Sequence, residues 1–387
     1  MCQKYGRTQM KGERINLISP VFTNKDIDGL TKSLNLDDGI NTLSCIKNFE
    51  SKLSEFYNAK SVIAVSSGTA ALHLSLLALN VKPNEKVIIP SLTFAASAYA
   101  VEYLQAQPVF IDVDSKSWTM DLDLLEAYLS GSKVSELPKV IMNVDLFGRT
   151  CDLEHLGRIA QKYDLKVLSD SAESLGTKYQ NNTYTNYSDF SIVSFNNNKI
   201  ITALGGGAVY FNDVNFEERI RKLANQSREK VHWYEHLEIG YNYRISPLQA
   251  TLGETQLSRI EQILNLKLKI YSRYVENFDG VPGVKIIEDS PWEQSNKWLI
   301  CAQFSDNKMP GIKDKVFTHL NNLNIESRFV WKPLHLQPIF SHKTKFLNGS
   351  SERIFKEGLC LPSSINLTMK DIDKVSQEII KVVKLYS

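Results

Sequence analysis

Residues 61–79 read SVIAVSSGTAALHLSLLAL, a short apolar run, a turn of small polar residues and a longer apolar run. The first run, 61–65, is rich in β-branched residues and has the length of a strand, whereas 70–79 has the length of a helix. The turn at 66–69 would present free backbone N–H groups and the positive end of the helix dipole, which favour a phosphate. Serine and threonine are also ordinary helix caps, so this segment alone leaves both interpretations open.

The same alternation of strand and helix continues downstream of this unit. The predicted strands are 86–90, 108–113, 139–146, 165–170 and 190–195. The helical patterns between them are 95–104, 122–129 and 153–163. Strict alternation predicts an α/β fold in which helices cover both faces of a mostly parallel sheet. Ligands of such sheets bind at the carboxyl ends of the strands.

The pattern changes in the last third of the chain. Residues 248–274 predict one long helix with a polar face, on which 267–273 would be solvated. We therefore predict a large domain over 1–255, with an N-terminal arm at 1–35, and a smaller domain over 256–387.

Composition excludes several classes of protein. The 387 residues carry a net charge of only +2 without a basic run, which disfavours nucleic acid and membrane surfaces as partners. The five cysteines are scattered and lack metal-type spacing, which predicts free thiols in a reducing cytoplasm and no metal site. No signal-peptide core precedes the fold, and no apolar run approaches the ~20 residues that span a bilayer.

Two carboxylates lie at or just after the end of the predicted strand 165–170. Asp170 ends that strand, where an unpaired charge is costly unless it faces a cation such as a protonated pyridine nitrogen. Asp170 could also cap the following turn, and Glu173 fits either a capping-box partner or a ligand contact.

Lys199 follows the predicted strand 190–195 in the sequence SFNNNK and precedes Gly205–Gly207. A lysine at the mouth of a sheet can form a Schiff base with a carbonyl compound, most commonly pyridoxal phosphate. A surface lysine beside a tight glycine turn into strand 208–211 is the alternative. The order of phosphate turn, aspartate and lysine, all at strand ends, favours the cofactor.

Several longer motifs carry a resemblance to a known family. They are SGTAALHL at 67–74, PSLTF at 90–94, the segment 170–176, SFNNNK at 194–199, GYNYR at 240–244 and WKPLHLQP at 331–338. The chain, from about Asp38 to its C-terminus, resembles the DegT/DnrJ/StrS sugar aminotransferases. That resemblance implies a fold-type-I pyridoxal-phosphate enzyme with a large domain, whose mostly parallel mixed sheet lies between helices, and a smaller C-terminal α/β domain.

The resemblance implies a role for each matched position around the cofactor ring. Lys199 would bind the cofactor covalently and move the proton between the substrate carbon and the cofactor. Asp170 would pair with the pyridinium nitrogen, Glu173 would lie near the ring hydroxyl, and Phe94 would lie against the ring face.

The resemblance also implies how the phosphate is held. Gly68, Thr69 and Ser194 would bind it within one chain, and Asn242 would reach it from the neighbouring subunit. The implied assembly is a homodimer with shared active sites.

Other matched positions concern the substrate. Trp331 and His335 could contact the sugar or nucleotide, although either could equally be core packing. Asn197 and Leu204 depart from the family pattern, which affects the shape of the loop that selects the substrate. Some members carry histidine in place of the lysine and act as dehydratases, and the presence of Lys199 disfavours that activity.

The activity that the resemblance implies is transfer of an amino group, from L-glutamate, to the keto carbon of a nucleotide-linked keto sugar. The segments 194–199 and 331–338 look most like those of enzymes that act on UDP-4-keto-6-deoxy-N-acetylhexosamines. The implied pathway is the synthesis of surface polysaccharide or glycoconjugate. One alternative is a 3-keto-sugar or GDP-perosamine-type aminotransferase. An alternative of another class is a regulatory or binding protein that has this fold without turnover.

Overall fold

A central sheet organises the first two-thirds of the chain in the computed structural model, which describes residues 14–34, 42–182, 186–305 and 309–386. Residues 1–13 and 35 of the predicted N-terminal arm, Cys2 among them, lie outside the described residues. The strands are β1 Ser61–Val65, β2 Lys86–Pro90, β3 Gln107–Ile111, β4 Val140–Val144, β5 Lys166–Asp170, β6 Lys178–Tyr179, β7 Phe190–Ser194, β8 Gly207–Phe211, β9 Val284–Ile286, β10 Glu293–Gln294, β11 Ile300–Phe304, β12 Arg328–Phe329, β13 Lys345–Phe346 and β14 Gly358–Leu361.

The large sheet has eight strands in the order β1-β8-β7-β5-β4-β2-β3-β13. Strand β8 runs antiparallel to both of its neighbours, and all other adjacent pairs are parallel. The α/β class with a mostly parallel sheet is therefore confirmed. The predicted strands of this sheet differ from the observed bounds by at most two residues at either end.

Helices cover both faces of this sheet. They are α1 Asn24–Ser33, α2 Thr42–Tyr57, α3 Gly68–Ala78, α4 Ala96–Tyr103, α5 Leu122–Gly131, α6 Leu153–Lys162, α7 Glu217–Ala224, α8 Pro247–Leu257, α9 Ile260–Phe278, α10 Ile312–Asn322, α11 Ser350–Glu357 and α12 Met369–Tyr386. In β2, Val87 and Ile89 pack in one apolar cluster with α3 and α4, whereas Ile88 packs in another with α5 and α6. Burial on both faces explains why these strands read as continuous apolar runs.

A second, antiparallel sheet has the order β12-β14-β11-β9 and packs with α9, α10 and α12. The chain crosses between the two sheets more than once. Strand β13 pairs in parallel with β3 of the large sheet, and Ile15 forms a bridge with Ile325. The predicted division near residue 255 stays a prediction, since β13 from the C-terminal side joins the large sheet and Ile15 from the N-terminal side packs in the apolar cluster of the second sheet.

The predicted single helix 248–274 is wrong. The chain forms α8 and α9, separated at Ser258 and Arg259. The guanidinium of Arg259 donates to the Asp26 carboxylate at 2.9 Å and to the carbonyl oxygen of Val21, so tertiary contacts with the N-terminal segment hold the chain at the break. The predicted solvated face at 267–273 is also wrong at Lys267, whose side chain is buried. None of the helices within the described ranges has the length and apolar character to cross a bilayer.

Candidate active site

A cavity of about 480 Å³ lies at the carboxyl ends of the parallel strands and is large enough for a cofactor-sized ligand. Its walls come from the start of α3, the ends of β5 and β7, and two loops of the C-terminal third. The sequence-predicted residues that line it are Gly68, Thr69, Phe94, Asp170, Glu173, Ser194, Lys199 and Trp331. Residues from distant parts of the sequence therefore meet in one place, as the strand-end argument predicts.

One wall of the cavity is the N-terminus of α3, which meets the glycine turn before β8. Ser67 caps the helix by accepting a hydrogen bond from the Ala70 N–H at 3.0 Å. A Cβ atom on Gly207 would lie 2.6 Å from the Gly68 nitrogen, and one on Gly68 would lie 3.0 Å from the Ser194 Cβ. These glycines let the backbone close around the first-turn N–H groups, which remain available to an anion. Gly206, at φ +95°, makes the predicted tight turn into β8.

Asp170 ends β5 and is buried at the cavity wall. Its carboxylate accepts hydrogen bonds from the Ser97 hydroxyl at 2.7 Å and from the Ala172 N–H at 3.3 Å. Burial raises the pKa of Asp170, and these two hydrogen bonds and the charge of Lys199 oppose that rise. A cationic ligand atom beside Asp170 would favour the charged carboxylate further.

Glu173 lies beside the lysine that the sequence singled out. The Lys199 Nζ is 3.5 Å from one carboxylate oxygen of Glu173, and the other oxygen accepts the Phe147 N–H at 2.7 Å. Burial raises the pKa of Glu173, and the Lys199 charge and the Phe147 N–H oppose the rise. The backbone of Phe147 therefore fixes the carboxylate, which in turn orients the amine.

Two cavity residues from the C-terminal third were missed by the sequence argument. The Lys199 Nζ lies 4.1 Å from the centroid of the Trp298 ring, whose indole N–H donates to the Asn198 carbonyl oxygen at 2.6 Å. Arg328 also lines the cavity, and its guanidinium donates to Glu326 at 3.1 Å. Trp298 lies between β10 and β11, and Arg328 begins the two-residue strand β12. Neither segment carries a periodic sequence signal, so only the folded chain connects these residues with Lys199.

Two predicted site residues do not line the cavity. Asn242 is exposed and forms an isolated antiparallel bridge with Asn225. His335 is buried, with its Nε2 3.2 Å from the Glu352 carboxylate. The contact of Asn242 with a phosphate across subunits stays a prediction, as does the contact of His335 with a substrate.

The chemistry of the cavity fits pyridoxal phosphate. The α3 N-terminus suits the phosphate, the buried Asp170 carboxylate suits a protonated ring nitrogen, and Lys199 suits the aldehyde. Phe94 and Trp331, whose ring centroids lie 6.1 Å apart, supply aromatic surface at the mouth.

Comparison with known proteins agrees with this geometry. Residues 22–380 match the model of the DegT/DnrJ/EryC1/StrS aminotransferase family, slightly more of the chain than the sequence motifs cover. A pyridoxal phosphate-dependent aminotransferase named EpsN, from Bacillus subtilis (strain 168), is 36% identical over 85% of this chain and 86% of its own. GDP-perosamine synthase of Caulobacter vibrioides is 32% identical over 85% of this chain and 88% of its own.

A more distant relative is the UDP-4-amino-4,6-dideoxy-N-acetyl-beta-L-altrosamine transaminase of Campylobacter jejuni, at 28% identity over 93% of this chain and 95% of its own. Among solved structures, the PLP form of the sugar aminotransferase Spr1654 from Streptococcus pneumoniae superposes with a TM-score of 0.88. It is 23% identical over 97% of this chain and 100% of its own, so it shows the fold, that of fold-type-I aminotransferases.

Proposed function

The chain belongs to the DegT/DnrJ/EryC1/StrS aminotransferase family, and from this we propose that it transfers an amino group from L-glutamate to the C4 keto carbon of a UDP-linked 6-deoxy-N-acetylhexosamine. It is a pyridoxal-phosphate-dependent sugar aminotransferase that acts on nucleotide sugars. The observation that carries the proposal is the meeting of the α3 N-terminus, Asp170 and Lys199 in one cavity. This argues against the alternative of a binding protein without turnover.

The chain's own residues divide the work of the reaction. Bound pyridoxal phosphate supplies an aldehyde that captures amines and a ring that withdraws electrons from the substrate carbon. Asp170 holds a proton on the ring nitrogen, and Ser97 keeps that carboxylate in place. The Nζ atom of Lys199 moves the proton on the substrate carbon, oriented by Glu173 at 3.5 Å.

Arg328 supports a donor that carries a carboxylate. It lines the same cavity as Lys199 from the opposite domain, and its guanidinium has donors beyond the one bonded to Glu326. An arginine fork binds a carboxylate with two parallel hydrogen bonds, which suits L-glutamate.

The aromatic mouth supports a deoxy sugar as the acceptor. Phe94 is 59% exposed and meets Trp331 edge to face, which leaves apolar surface for a sugar face and its methyl group. Within the described chain, the indole N–H of Trp331 is buried without a hydrogen-bond acceptor. The proposed place of this reaction is the cytoplasm, in the synthesis of surface glycan.

A GDP-perosamine-type activity is the second candidate, because a GDP-perosamine synthase is 32% identical over most of both chains. The purified protein should absorb in the near-visible, and L-glutamate should bleach that band. The bleached enzyme is then offered a panel of UDP-, GDP- and dTDP-linked 3-keto and 4-keto sugars, and products are identified by mass spectrometry. Amination of a GDP sugar in preference to the UDP-4-keto sugar would overturn the nucleotide assignment, and no bleaching by any amine donor would overturn the activity.

We further propose that the active unit is a homodimer whose sites are shared. The segment before Asn242 exposes large apolar side chains, with Trp233 at 62% and Ile239 at 81%, as expected of a surface that a second copy covers. A two-fold dimer would bring each such segment to the other chain, where Asn242 would donate to the phosphate.

Mixing two inactive variants tests the shared site. Lys199→Ala and Asn242→Trp homodimers should each be inactive, whereas a mixed dimer should regain about one intact site by symmetry. Subunit exchange is monitored by native mass spectrometry, with Lys199→Ala mixed with itself as the control. Confirmed exchange without recovered activity would contradict the shared-site arrangement.

A further inference from the structure

Lys267, in the middle of α9, is a charged side chain that the reaction as described does not use. Its side chain is 2% exposed and lies between apolar neighbours of the core, Ile263 and Ile270. Its Nζ atom donates to the carbonyl oxygens of Trp298 at 2.8 Å and Ser363 at 2.6 Å. Desolvation lowers the pKa of Lys267 to about 7. Because an apolar side chain of similar length would avoid this desolvation, packing alone does not account for a lysine here.

The backbone that Lys267 binds is held from the other domain as well. The Trp298 N–H donates to the Asn296 side-chain oxygen at 2.9 Å. The amide group of Asn296 donates in turn to the carbonyl oxygens of Glu173 at 2.9 Å and Leu175 at 3.0 Å. The backbone of Trp298 is therefore fixed on its N–H side by the large domain and on its carbonyl side by Lys267.

The side chain of Trp298 connects this fixed backbone with the reactive amine of Lys199. Its ring lies under the Lys199 Nζ at 4.1 Å, and its indole N–H donates to the carbonyl oxygen of Asn198, the residue before Lys199. A cation over an aromatic face is attracted to it, so the ring restricts where the amine points.

We propose that Lys267 is a positioning residue for Lys199, holding the Trp298 backbone so that the indole ring orients the amine for capture of a carbonyl. The inference rests on the proposed function of Lys199, and it adds a contact from the C-terminal domain that the covalent step needs. A purely structural lysine would influence folding without a selective effect on Lys199.

The test compares two cofactor forms on the apoprotein. Pyridoxal 5′-phosphate must be captured by Lys199, whereas pyridoxamine 5′-phosphate has no aldehyde and reports only the phosphate and ring contacts. In Lys267→Met, capture followed by near-visible absorbance should be about 3- to 10-fold slower, because the ring no longer holds the amine in the orientation for attack on the aldehyde. Pyridoxamine 5′-phosphate should bind as in the wild type. Borohydride reduction and peptide mass spectrometry confirm that capture occurs at Lys199.

Lys313→Met is the matched control. Lys313 is also buried, and its Nζ donates at 2.9 Å to the carbonyl oxygen of Phe355, which belongs to α11 and not to the segment that carries Trp298. This variant should capture the cofactor at the wild-type rate. Equal slowing in both variants, or no slowing in Lys267→Met, would overturn the proposal.

Trp298→Leu keeps the proposal testable if Lys267→Met does not fold. It should slow capture to a similar extent, and Lys267→Arg, which retains donors, should restore part of the rate. In the double variant of Lys267→Met and Trp298→Leu, the first change should add nothing to the second. Normal capture by Trp298→Leu would overturn the positioning role alone, whereas a wild-type protein that captures no cofactor at Lys199 would overturn the proposed function and this inference with it.

Discussion

At the scale of single residues, the site depends on two buried carboxylates beside one amine. Burial raises the pKa of both Asp170 and Glu173, and each is held by hydrogen bonds from neighbours that do not themselves react. Ser97 and the backbone of Phe147 provide those bonds. The groups are thus fixed before any ligand arrives, which lowers the cost of ordering them during the reaction.

Replacing Lys199 by alanine should abolish the covalent bond to the cofactor and leave the fold intact. Since nucleophile and proton carrier are lost together, turnover should fall by about 10³-fold or more. The measurements are glutamate-dependent turnover and borohydride trapping followed by mass spectrometry. Lys178→Ala, at a lysine outside the cavity, serves as the control and should react normally. Full turnover by the Lys199→Ala protein would contradict the assignment.

Asp170→Asn should weaken the cofactor far more than Ser97→Ala. The first removes the charge that we propose faces the ring nitrogen, a loss of ~3 kcal/mol or more, or about 100-fold in Kd. The second removes one hydrogen bond and should cost about 1 kcal/mol. Equilibrium dialysis of the cofactor measures both. If both variants weaken cofactor binding equally and only slightly, Asp170 merely caps the turn that follows β5.

The sequence predicted the residues that stand at strand ends and missed those placed by tertiary contacts. Asp170 and Lys199 follow recognisable strands, so the edge of the sheet on which they meet could be predicted. Trp298 and Arg328 reach the cavity only through tertiary packing of the C-terminal third on the large sheet, and no local pattern shows that packing. Lys267 was expected in solvent because it belongs to a charged run, although Ile263, Ile270 and Tyr274 share its face of α9 at helical spacing.

At the scale of elements, the junction of α3 and β8 forms the proposed phosphate site. Strand β8 runs antiparallel between β1 and β7, so its first residue, Gly207, arrives beside the first turn of α3. The alternation of strand and helix predicted α3, whereas this close approach depends on pairing between strands far apart in the sequence.

Gly207→Ala should therefore disturb both stability and the phosphate site. A methyl group there would lie 2.6 Å from the Gly68 nitrogen and 2.7 Å from the Val193 oxygen, so the backbone must shift at a cost of about 1–3 kcal/mol. The free energy of unfolding measured in urea and the affinity for pyridoxamine 5′-phosphate should both decrease.

The control for this change is Gly157→Ala in α6, where a methyl group meets nothing within 4 Å. That variant should be more stable by ~0.5–1 kcal/mol and should bind the ligand normally, because alanine favours a helix over glycine. A Gly207→Ala protein that behaves like the control would show that the close approach is dispensable.

At the scale of the whole molecule, Lys267 makes stability depend on pH. Its pKa is about 7 in the folded protein, below its ordinary value of 10.5. Between these values the unfolded chain binds a proton that the native state does not, so the free energy of unfolding rises with pH across this window. The rise should be on the order of a few kcal/mol.

Lys267→Met should lack this rise, which urea titrations from pH 6.5 to 10 would reveal as a difference between the two proteins that changes with pH. The change removes the cost of burying an amine, but it also deprives the carbonyl oxygens of Trp298 and Ser363 of a donor, so the pH dependence rather than the absolute stability is the measurement that decides. Parallel pH profiles for the two proteins would contradict the shifted pKa. If Lys267→Met is more stable than the wild type but captures the cofactor more slowly, Lys267 favours function at a cost in stability.

The attachment of β13 to the edge of the large sheet has a consequence for biosynthesis. The N–H of Asn348 donates to Asp112, the residue after β3, across 236 residues of chain. At ribosomal speeds of ~5–20 residues per second, that interval lasts roughly 10–50 seconds. During this time β3 would present an uncovered strand edge to other nascent chains, a known route to aggregation. The nascent chain is therefore exposed to misassembly from the synthesis of β3 until β13 has been translated.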